Sequence, residues 1–254
     1  MAGKKKKPQS DVKQLMDESS PFAIVEAYKA LRTNVIFSLA GVPAEKRNNV
    51  VIVTSSLPGE GKSTTCANLA LAMAQKDERV LIVDADLRKP TQNKIFKVTN
   101  NDGLSNALIN EELSHKIHRD VRPQLDLLAS GPIPPNPSEL LSSQAMKAVI
   151  DALTQYYDYI FIDTPPINVV TDALVISPNA SGLLVVVSPE LCTHENMKYT
   201  LDAIAMADAT LLGAVMTKIT SDGMSISYKS KYSKYSKYRY YSKYGYRNGE
   251  KVEK

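Results

Sequence analysis

The sequence has few cysteines and lacks a long apolar segment. Its two cysteines, Cys66 and Cys192, show neither metal nor redox spacing, so we expect a reduced, cytoplasmic protein. No uncharged apolar run approaches the roughly 18–20 residues that span a bilayer, and no apolar segment follows the lysine-rich N-terminus as in a signal peptide. The histidines His115, His118 and His194 form no ligand pattern and are interpreted as surface or packing residues. Any membrane association must therefore come through a partner or through surface charge.

Charge is distributed unevenly along the chain. Residues 1–20 carry a net charge of +2, residues 21–227 carry −5 and residues 228–254 carry +7, within a total of +4. The folded body is therefore expected to be mildly acidic between two basic ends. We predict a flexible basic arm over 1–20, a single domain over 21–227 and a disordered tail over 228–254, because the tail is too poor in aliphatic residues to form a core. The basic arm is equally compatible with contact to an anionic membrane surface or nucleic acid and with simple solvation.

Hydrophobic periodicity predicts an alternation of helices and strands. Over 21–40, apolar residues recur every three or four positions, which indicates a helix with Glu26, Lys29 and Arg32 on one charged ridge. Continuous Val/Ile/Leu runs then indicate strands that are covered on both faces. The predicted strands are 50–54, 80–83, 125–129, 159–162, 183–187 and 212–217, and the predicted helices 61–75, 138–156 and 195–206. This order predicts an α/β fold with a doubly wound, mostly parallel sheet.

One segment between a predicted strand and a predicted helix carries the strongest chemical signal. It reads SLPGEGKST over residues 56–64 and matches the phosphate-binding loop, except that a serine replaces the usual first glycine. Its glycines let backbone N–H groups turn toward phosphates, its lysine reaches the β- and γ-phosphates, and its serine hydroxyl binds Mg²⁺. A glycine-bearing turn with a solvated lysine is the weaker alternative in this strand–loop–helix context. The nucleotide-binding candidates are Ser56, Gly59, Glu60, Gly61, Lys62, Ser63 and Thr64.

Acidic residues follow two other predicted strands. Asp84 and Asp86 come directly after the apolar run 80–83, and Asp163 follows the run 159–162. Ligands of open α/β sheets bind at the carboxyl ends of strands, so these acids are expected beside the phosphate loop. Two residues apart on extended chain, Asp84 and Asp86 should point to the same side. Asp163 has the position of an acid that holds Mg²⁺ directly or through water.

These motifs resemble the bacterial tyrosine kinases of capsule and exopolysaccharide synthesis, in their separate cytoplasmic Gram-positive form. The segments that carry the resemblance are DADLRKP at 84–90, GPIPPNPSEL at 131–140, DTPP at 163–166 and VTDA at 170–173, together with the tyrosine-rich C-terminus. The resemblance runs from about residue 26 to residue 218. It implies a P-loop NTPase fold, a MinD-like three-layer sandwich, that phosphorylates tyrosine with ATP and Mg²⁺.

The resemblance also implies roles for individual residues. Lys62 and Ser63 would bind phosphate and Mg²⁺, Asp86 and Asp163 would hold the metal and its waters, and Asp84 would accept the tyrosine proton. Glu26, Lys29 and Arg32 would form an oligomerisation contact in a ring of unphosphorylated subunits. A transmembrane activator would recruit the enzyme to the inner face of the plasma membrane, and a cognate phosphatase would reverse the reaction.

Eight of the thirteen tyrosines lie in the tail, between residues 228 and 246. Beside an ATP site they are interpreted as phosphoacceptors, whereas Tyr156, Tyr157 and Tyr159 lead into a strand and are interpreted as structural. The predicted acceptors are Tyr228, Tyr232, Tyr235, Tyr238, Tyr240, Tyr241, Tyr244 and Tyr246.

Two other functions remain as alternatives. An ATP-switched partitioning ATPase of the MinD or ParA type would use the tail as a basic nucleic-acid arm. However, Leu57 stands where those proteins carry a signature lysine, and Pro58 follows it. A P-loop kinase of a small molecule would leave the tail unexplained. No nucleic-acid partner is therefore expected. Two residues depart from the pattern of the tyrosine kinases. Lys29, at the middle of the oligomerisation motif, lacks the bidentate fork of arginine. Thr217 stands after the last strand, where relatives often have an asparagine at a position that can contact the nucleotide base.

Overall fold

The computed structural model describes residues 15–110, 113 and 115–219. Within these residues, seven strands form one sheet in the order β3-β4-β2-β5-β1-β6-β7. All neighbouring strands run parallel except β3 and β4. The strands are β1 (Val50–Ser55), β2 (Val80–Asp84), β3 (Ile117–Arg122), β4 (Leu125–Leu128), β5 (Tyr159–Asp163), β6 (Gly182–Val187) and β7 (Leu211–Met216).

Eight α-helices precede or connect these strands in the described part of the chain. They are α1 (Phe22–Ala40), α2 (Lys62–Ala74), α3 (Gln92–Phe96), α4 (Leu104–Asn110), α5 (Pro137–Leu141), α6 (Gln144–Leu153), α7 (Asp172–Ile176) and α8 (His194–Met206). The predicted helix over 21–40 and the six predicted strands are thus confirmed to within one or two residues. None of the helices in the described ranges has the length and apolarity needed to cross a bilayer.

Alternate residues of the central strands enter two separate cores. On β1, Val50 and Ile52 pack into one core with α4, α6 and α7, whereas Val51 and Val53 pack into the other with α1, α2 and α3. This alternation is the period-two geometry of a strand that is covered on both faces. The doubly wound, three-layer α/β fold predicted from the sequence is therefore confirmed.

The prediction of one helix over 138–156 is wrong. The chain forms α5 and α6 instead, with a break at Ser142 and Ser143. The Ser143 hydroxyl donates to the carbonyl oxygen of Leu140 and accepts from the backbone N–H of Met146. A serine that caps the next helix in this way competes with helix continuation, and this competition is the physical reason for the break.

Strand β3 has no counterpart in the sequence prediction. It is an antiparallel edge strand that pairs with β4, and its register shifts between His118 and Arg122. Its sequence, IHRDVR, is largely polar and shows no apolar alternation. Asp126 on β4 holds the irregular strand, because its carboxylate accepts hydrogen bonds from the backbone N–H of Asp120 at 2.7 Å and from Arg119 at 2.8 Å.

Candidate active site

The phosphate-binding loop lies between β1 and α2. Gly59 and Gly61 have φ values of 86° and 95°, in the left-handed region that glycine adopts without strain. Gly61 stands directly before the first residue of α2. The loop therefore leads into the N-terminus of α2, where unpaired backbone N–H groups and the helix dipole favour an anion.

Glu60 braces this loop from inside the protein. Its side chain is fully buried, and its two carboxylate oxygens accept the backbone N–H of Leu57 at 2.7 Å and that of Ser188 at 3.0 Å. The Thr217 hydroxyl donates to the Glu60 carbonyl oxygen, so the end of β7 is tied to the same loop. Ser56 is likewise buried, and its hydroxyl accepts from that of Thr200 at 2.8 Å. These contacts place the Glu60 and Ser56 side chains as supports of the loop.

The acids predicted at the strand ends do meet at one edge of the sheet. Asp84 is the partner of Asp163 in the register of β2 and β5, and both side chains are fully buried. Lys62 Nζ lies 2.9 Å from Asp86 Oδ2, 3.4 Å from Asp163 Oδ1 and 3.1 Å from Ser63 Oγ. The phosphate loop and both acidic motifs therefore converge on one ammonium group.

Burial and charge perturb the protonation of this cluster. Burial by itself would lower the pKa of Lys62, but the charges of Asp163 and Asp86 outweigh it and raise that pKa above its usual value. Burial, followed by the charge of Asp163, raises the pKa of Asp84 to about 7. Lys62 is thus held as a cation, while the pKa of Asp84 is raised, so that this carboxyl keeps its proton to a higher pH than an ordinary aspartate.

Asp84 and Asp86 have different surroundings. Asp84 Oδ2 accepts the backbone N–H groups of Thr91 and Gln92 at 2.9 and 2.8 Å, so it caps the start of α3. Asp86 lies on the wall of the adjacent cavity, and its Oδ1 accepts the backbone N–H of Lys89 at 2.9 Å. In this conformation an incoming group meets Asp86, whereas Asp84 is enclosed by the segment that follows it.

The cavity beside this cluster has a volume of about 770 Å³. The loop residues Gly59, Gly61, Lys62, Ser63 and Thr64 line it, and so do Arg88 and Lys89. An apolar wall, formed by Pro165, Pro166, Val169 and Val170, lies at the same cavity, and Lys218 reaches it as well. The cavity therefore combines a phosphate-binding floor with an apolar wall, which is the usual composition of a small-molecule site. A smaller cavity of about 370 Å³ beside α6 is lined mainly by alanines and carries no comparable chemistry.

The segment before α1 also contributes to the cavity. Leu15, Met16 and Ser19 lie on its wall, and Met16 is only 7% exposed. The Met16 backbone N–H donates to Asn68 Oδ1 on α2 at 2.7 Å. This part of the predicted flexible arm is thus attached to the helix that carries Lys62, whereas residues 1–14 lie outside the described residues.

An ion pair holds the segment after Asp86. Arg88 donates to the Asp172 carboxylate at 2.9 and 3.2 Å and to the Ser138 hydroxyl at 2.8 Å. Asp172 is fully buried, and it also accepts from Ser138 at 2.7 Å. Arg88 thereby joins the acidic segment to α5 and α7, which come from the GPIPPNPSEL and VTDA segments.

Gln92 is a site residue that the sequence reasoning missed. Its side-chain Nε2 donates to the Ser63 carbonyl oxygen at 3.0 Å and to Asp163 Oδ2 at 2.8 Å, and the residue is fully buried. The available signal was a polar amide two residues after the DADLRKP segment, at the start of a helix. That signal is weak, because nothing in the linear order indicates contact with residue 163.

The cluster fits a magnesium ion by its donor types. Ser63, Asp86 and Asp163 supply a hydroxyl and two carboxylates, which are hard oxygen ligands, and Mg²⁺ in nucleotide sites uses one or two carboxylates together with phosphates and water. No group of three or more His, Cys, Asp or Glu side chains forms a ready metal site in the part of the chain that the structure describes. The lysine that bridges Asp86 and Asp163 shows that a cation is already accommodated between them.

The charged ridge of α1 makes contacts within the chain. Lys29 Nζ lies 2.8 Å from Glu26 Oε1, and the two side chains are 45% and 40% exposed. The Arg32 side chain contacts α2 instead, where it donates to the Ala72 carbonyl oxygen at 2.6 Å near the C-terminus of that helix. The predicted role of these residues between subunits stays a prediction. The predicted acceptors from Tyr228 to Tyr246 lie outside the described residues.

Comparison with known proteins identifies several relatives. Residues 48–214 match a family described as an AAA domain. The chain is 39% identical to tyrosine-protein kinase YwqD of Bacillus subtilis over 211 residues, which are 83% of this chain and 85% of that protein. The solved kinase domain of the Escherichia coli tyrosine kinase Etk is 31% identical, with a TM-score of 0.71, and the match covers 82% of this chain and 85% of that domain. The septum site-determining protein MinD of Pyrococcus horikoshii is 22% identical with a TM-score of 0.58 over 70% of this chain and 74% of its own, and this likeness concerns the fold alone.

Proposed function

Because the chain belongs to the bacterial protein-tyrosine kinases, we propose that it uses ATP and Mg²⁺ to phosphorylate the tyrosine cluster of its own tail. The transfer runs from one subunit to the tail of another, and it regulates the synthesis and export of capsular or extracellular polysaccharide. The observation that carries this proposal is the convergence of Lys62, Asp86 and Asp163 at the cavity of the phosphate loop.

Lys62 has to change partners during the reaction. In the present structure its ammonium is paired with two carboxylates. On ATP binding it turns to the β- and γ-phosphates, where a fixed cation offsets the charge that develops during transfer. Ser63, Asp86 and Asp163 are then free to hold Mg²⁺, which would supply charge neutralisation at the phosphates.

Asp84 is the proposed base for the tyrosine hydroxyl. A tyrosine with a pKa of about 10 is protonated at neutral pH, so a nearby carboxylate is needed to accept its proton. While Asp84 is enclosed, burial and the charge of Asp163 raise its pKa to about 7. In the transfer, the tyrosine oxygen bonds to the γ-phosphorus, the bond from that phosphorus to the bridging oxygen breaks, and the tyrosine proton passes to Asp84. ADP and phosphotyrosine are the products. Since Asp84 is enclosed by the segment 85–91, that segment must open for a tyrosine to reach it.

The other parts of the system follow from the tail and from α1. Glu26, Lys29 and Arg32 contact a neighbouring subunit in a ring, and a transmembrane activator brings the ring to the inner face of the membrane and stimulates it. Each phosphate adds about −1.5 to −2 charges, so four or five of them take the tail from its net +7 to neutral or negative. The proposed switch is this change of sign, which loosens the ring until a cognate phosphatase reverses it.

Mass spectrometry of the tail tests the assignment. The full chain is incubated with ATP, Mg²⁺ and the cytoplasmic part of the activator, and Lys62→Met is treated identically. Phosphate on residues 228–246 of the wild type alone is the expected result. An unmodified wild-type tail, together with salt-sensitive binding to DNA, would instead favour the partitioning ATPase.

A further inference from the structure

Gln92 connects all three motifs of the site. Its backbone N–H donates to Asp84 at 2.8 Å, and its side-chain Nε2 donates both to the Ser63 carbonyl oxygen and to Asp163 Oδ2. We infer that Gln92 is the positioning residue that keeps the Asp163 carboxylate oriented when Lys62 leaves it for the phosphates. This inference rests on the proposed function, in which Asp163 holds Mg²⁺.

The reason lies in the two side chains that donate to Asp163. Lys62 contacts Oδ1 at 3.4 Å, and Gln92 contacts Oδ2 at 2.8 Å. When the ammonium moves to a bound nucleotide, the shorter of the two contacts remains. Gln92 then fixes one oxygen of Asp163 and leaves Oδ1, the oxygen that faced a cation, directed toward the site.

The amide of Gln92 can serve this role in only one orientation. Its Nε2 faces two acceptors, and its Oε1 is buried without a hydrogen-bond partner among the residues that the structure describes. A flipped amide would press Oε1 against the Ser63 carbonyl and the Asp163 carboxylate, which are acceptors as well. The side chain is therefore a fixed donor, and neither glutamate nor an apolar residue can replace it.

The same contact links Asp163 to the nucleotide floor. The Ser63 carbonyl belongs to the first turn of α2, which also carries Lys62 and the Ser63 hydroxyl. A single amide thus connects the acid of β5 to the start of α2. A change at Gln92 should disturb the cooperation between nucleotide and metal more than the binding of the nucleotide itself.

The test measures the coupling between Mg²⁺ and nucleotide at equilibrium. A fluorescent ADP analogue is titrated into the full chain with EDTA and with excess Mg²⁺, and the ratio of the two Kd values is the coupling. The variants are Gln92→Met, which keeps the length without the donors, and Asp163→Asn. Asn93→Ala, at the neighbouring amide on α3, is the matched control and should keep the wild-type ratio.

Hydrogen-bond partners of metal ligands typically contribute 10–100-fold to metal affinity. We expect Gln92→Met to lower the coupling by about that factor, with a smaller change in the Kd measured in EDTA. If Gln92 acts through Asp163, the double variant Gln92→Met/Asp163→Asn should lose no more coupling than Asp163→Asn alone, since two changes in one chain of contacts are not additive. If Gln92→Met does not fold, Gln92→Asn replaces it, because its amide is too short to keep the bond to Asp163.

The outcomes distinguish the positioning role of Gln92 from the metal-binding role of Asp163. Wild-type coupling in Gln92→Met, or an equal loss of affinity with and without Mg²⁺, would overturn the role of Gln92 and leave that of Asp163 intact. Wild-type coupling in Asp163→Asn would remove the metal role of Asp163 from the proposed function and the role of Gln92 with it. Additive losses in the double variant would show that Gln92 acts elsewhere.

Discussion

Replacing Glu60 with alanine tests whether the phosphate loop depends on its internal brace. The wild-type carboxylate accepts the N–H groups of Leu57 and Ser188 from inside the protein, where Glu60 itself is fully buried. Alanine leaves both donors without this partner. We therefore expect Glu60→Ala to weaken the fold and the nucleotide site together.

The size of the effect follows from the two lost hydrogen bonds. A buried donor left unpaired costs about 1–3 kcal/mol. Ser188 is fully buried, so its unpaired N–H carries the whole cost. Leu57 is half-buried, so water can replace part of the lost hydrogen bond to its N–H. The sum is about 3 kcal/mol, which corresponds to a fall in Tm of roughly 6–12 °C for a domain of this size.

Thermal unfolding and ADP titration of three variants measure this prediction. Glu60→Gln keeps one carbonyl acceptor but turns its NH2 group toward the other backbone N–H, so it should lose about 1–3 kcal/mol. Glu190→Ala removes an exposed glutamate close to Ser188 and should stay within about 0.5 kcal/mol of the wild type. A Glu60→Ala variant that melts with the wild type and binds ADP equally well would refute the argument that this carboxylate shapes the loop.

Three further predictions concern the surrounding segments. Asp172→Asn should weaken the attachment of Arg88 to α7, and urea unfolding should show a loss of about 1–3 kcal/mol, because charge-assisted hydrogen bonds are lost while the partly exposed Arg88 regains water. Gly61→Ala should cost about 1–2 kcal/mol because φ is 95° there, and it should weaken ADP binding in a fluorescence titration. The pKa of Asp84 is raised from 3.8 to about 7, so the folded protein keeps a proton that the unfolded chain releases. Wild-type stability should therefore fall as the pH rises from about 4 to about 7, and urea unfolding across this range should show a smaller fall for Asp84→Asn.

The sequence predicts the central features because they are local. A continuous apolar run followed by glycines, a lysine and a serine identifies β1, the phosphate loop and the start of α2 without any knowledge of the rest of the chain. Acids placed after such runs reach one sheet edge because parallel strands end there together. The convergence of Asp84 and Asp163 follows from this rule and is seen in the register of β2 and β5.

The contacts that support these features were not predictable in the same way. Gln92 meets Asp163 across 71 residues, and Glu60 meets Ser188 across 128. Such pairs leave no periodic signal, since either residue taken alone is an ordinary polar side chain. The hydrophobic periodicity also gave a wrong prediction where a polar residue governs local structure. It predicted one helix over 138–156, but Ser143 separates α5 from α6.

The enclosure of Asp84 adds a condition that the sequence alone did not reveal. Its carboxylate caps α3 and lies behind the segment 85–91, which Arg88 attaches to Asp172. Opening that segment would release the cap and the ion pair together. The proposed base is thus linked to the same segment that carries Asp86.

Transfer between subunits is the central claim, and a mixing experiment tests it most directly. Lys62→Met, with its tail intact, is mixed with a chain that lacks residues 228–254, in the presence of ATP, Mg²⁺ and the activator. The first chain lacks the phosphate-binding lysine and the second lacks the acceptors, so each alone should stay unmodified. Phosphotyrosine on the tail of the Lys62→Met chain is the predicted result, and a tail that stays unmodified while the wild type labels would contradict it.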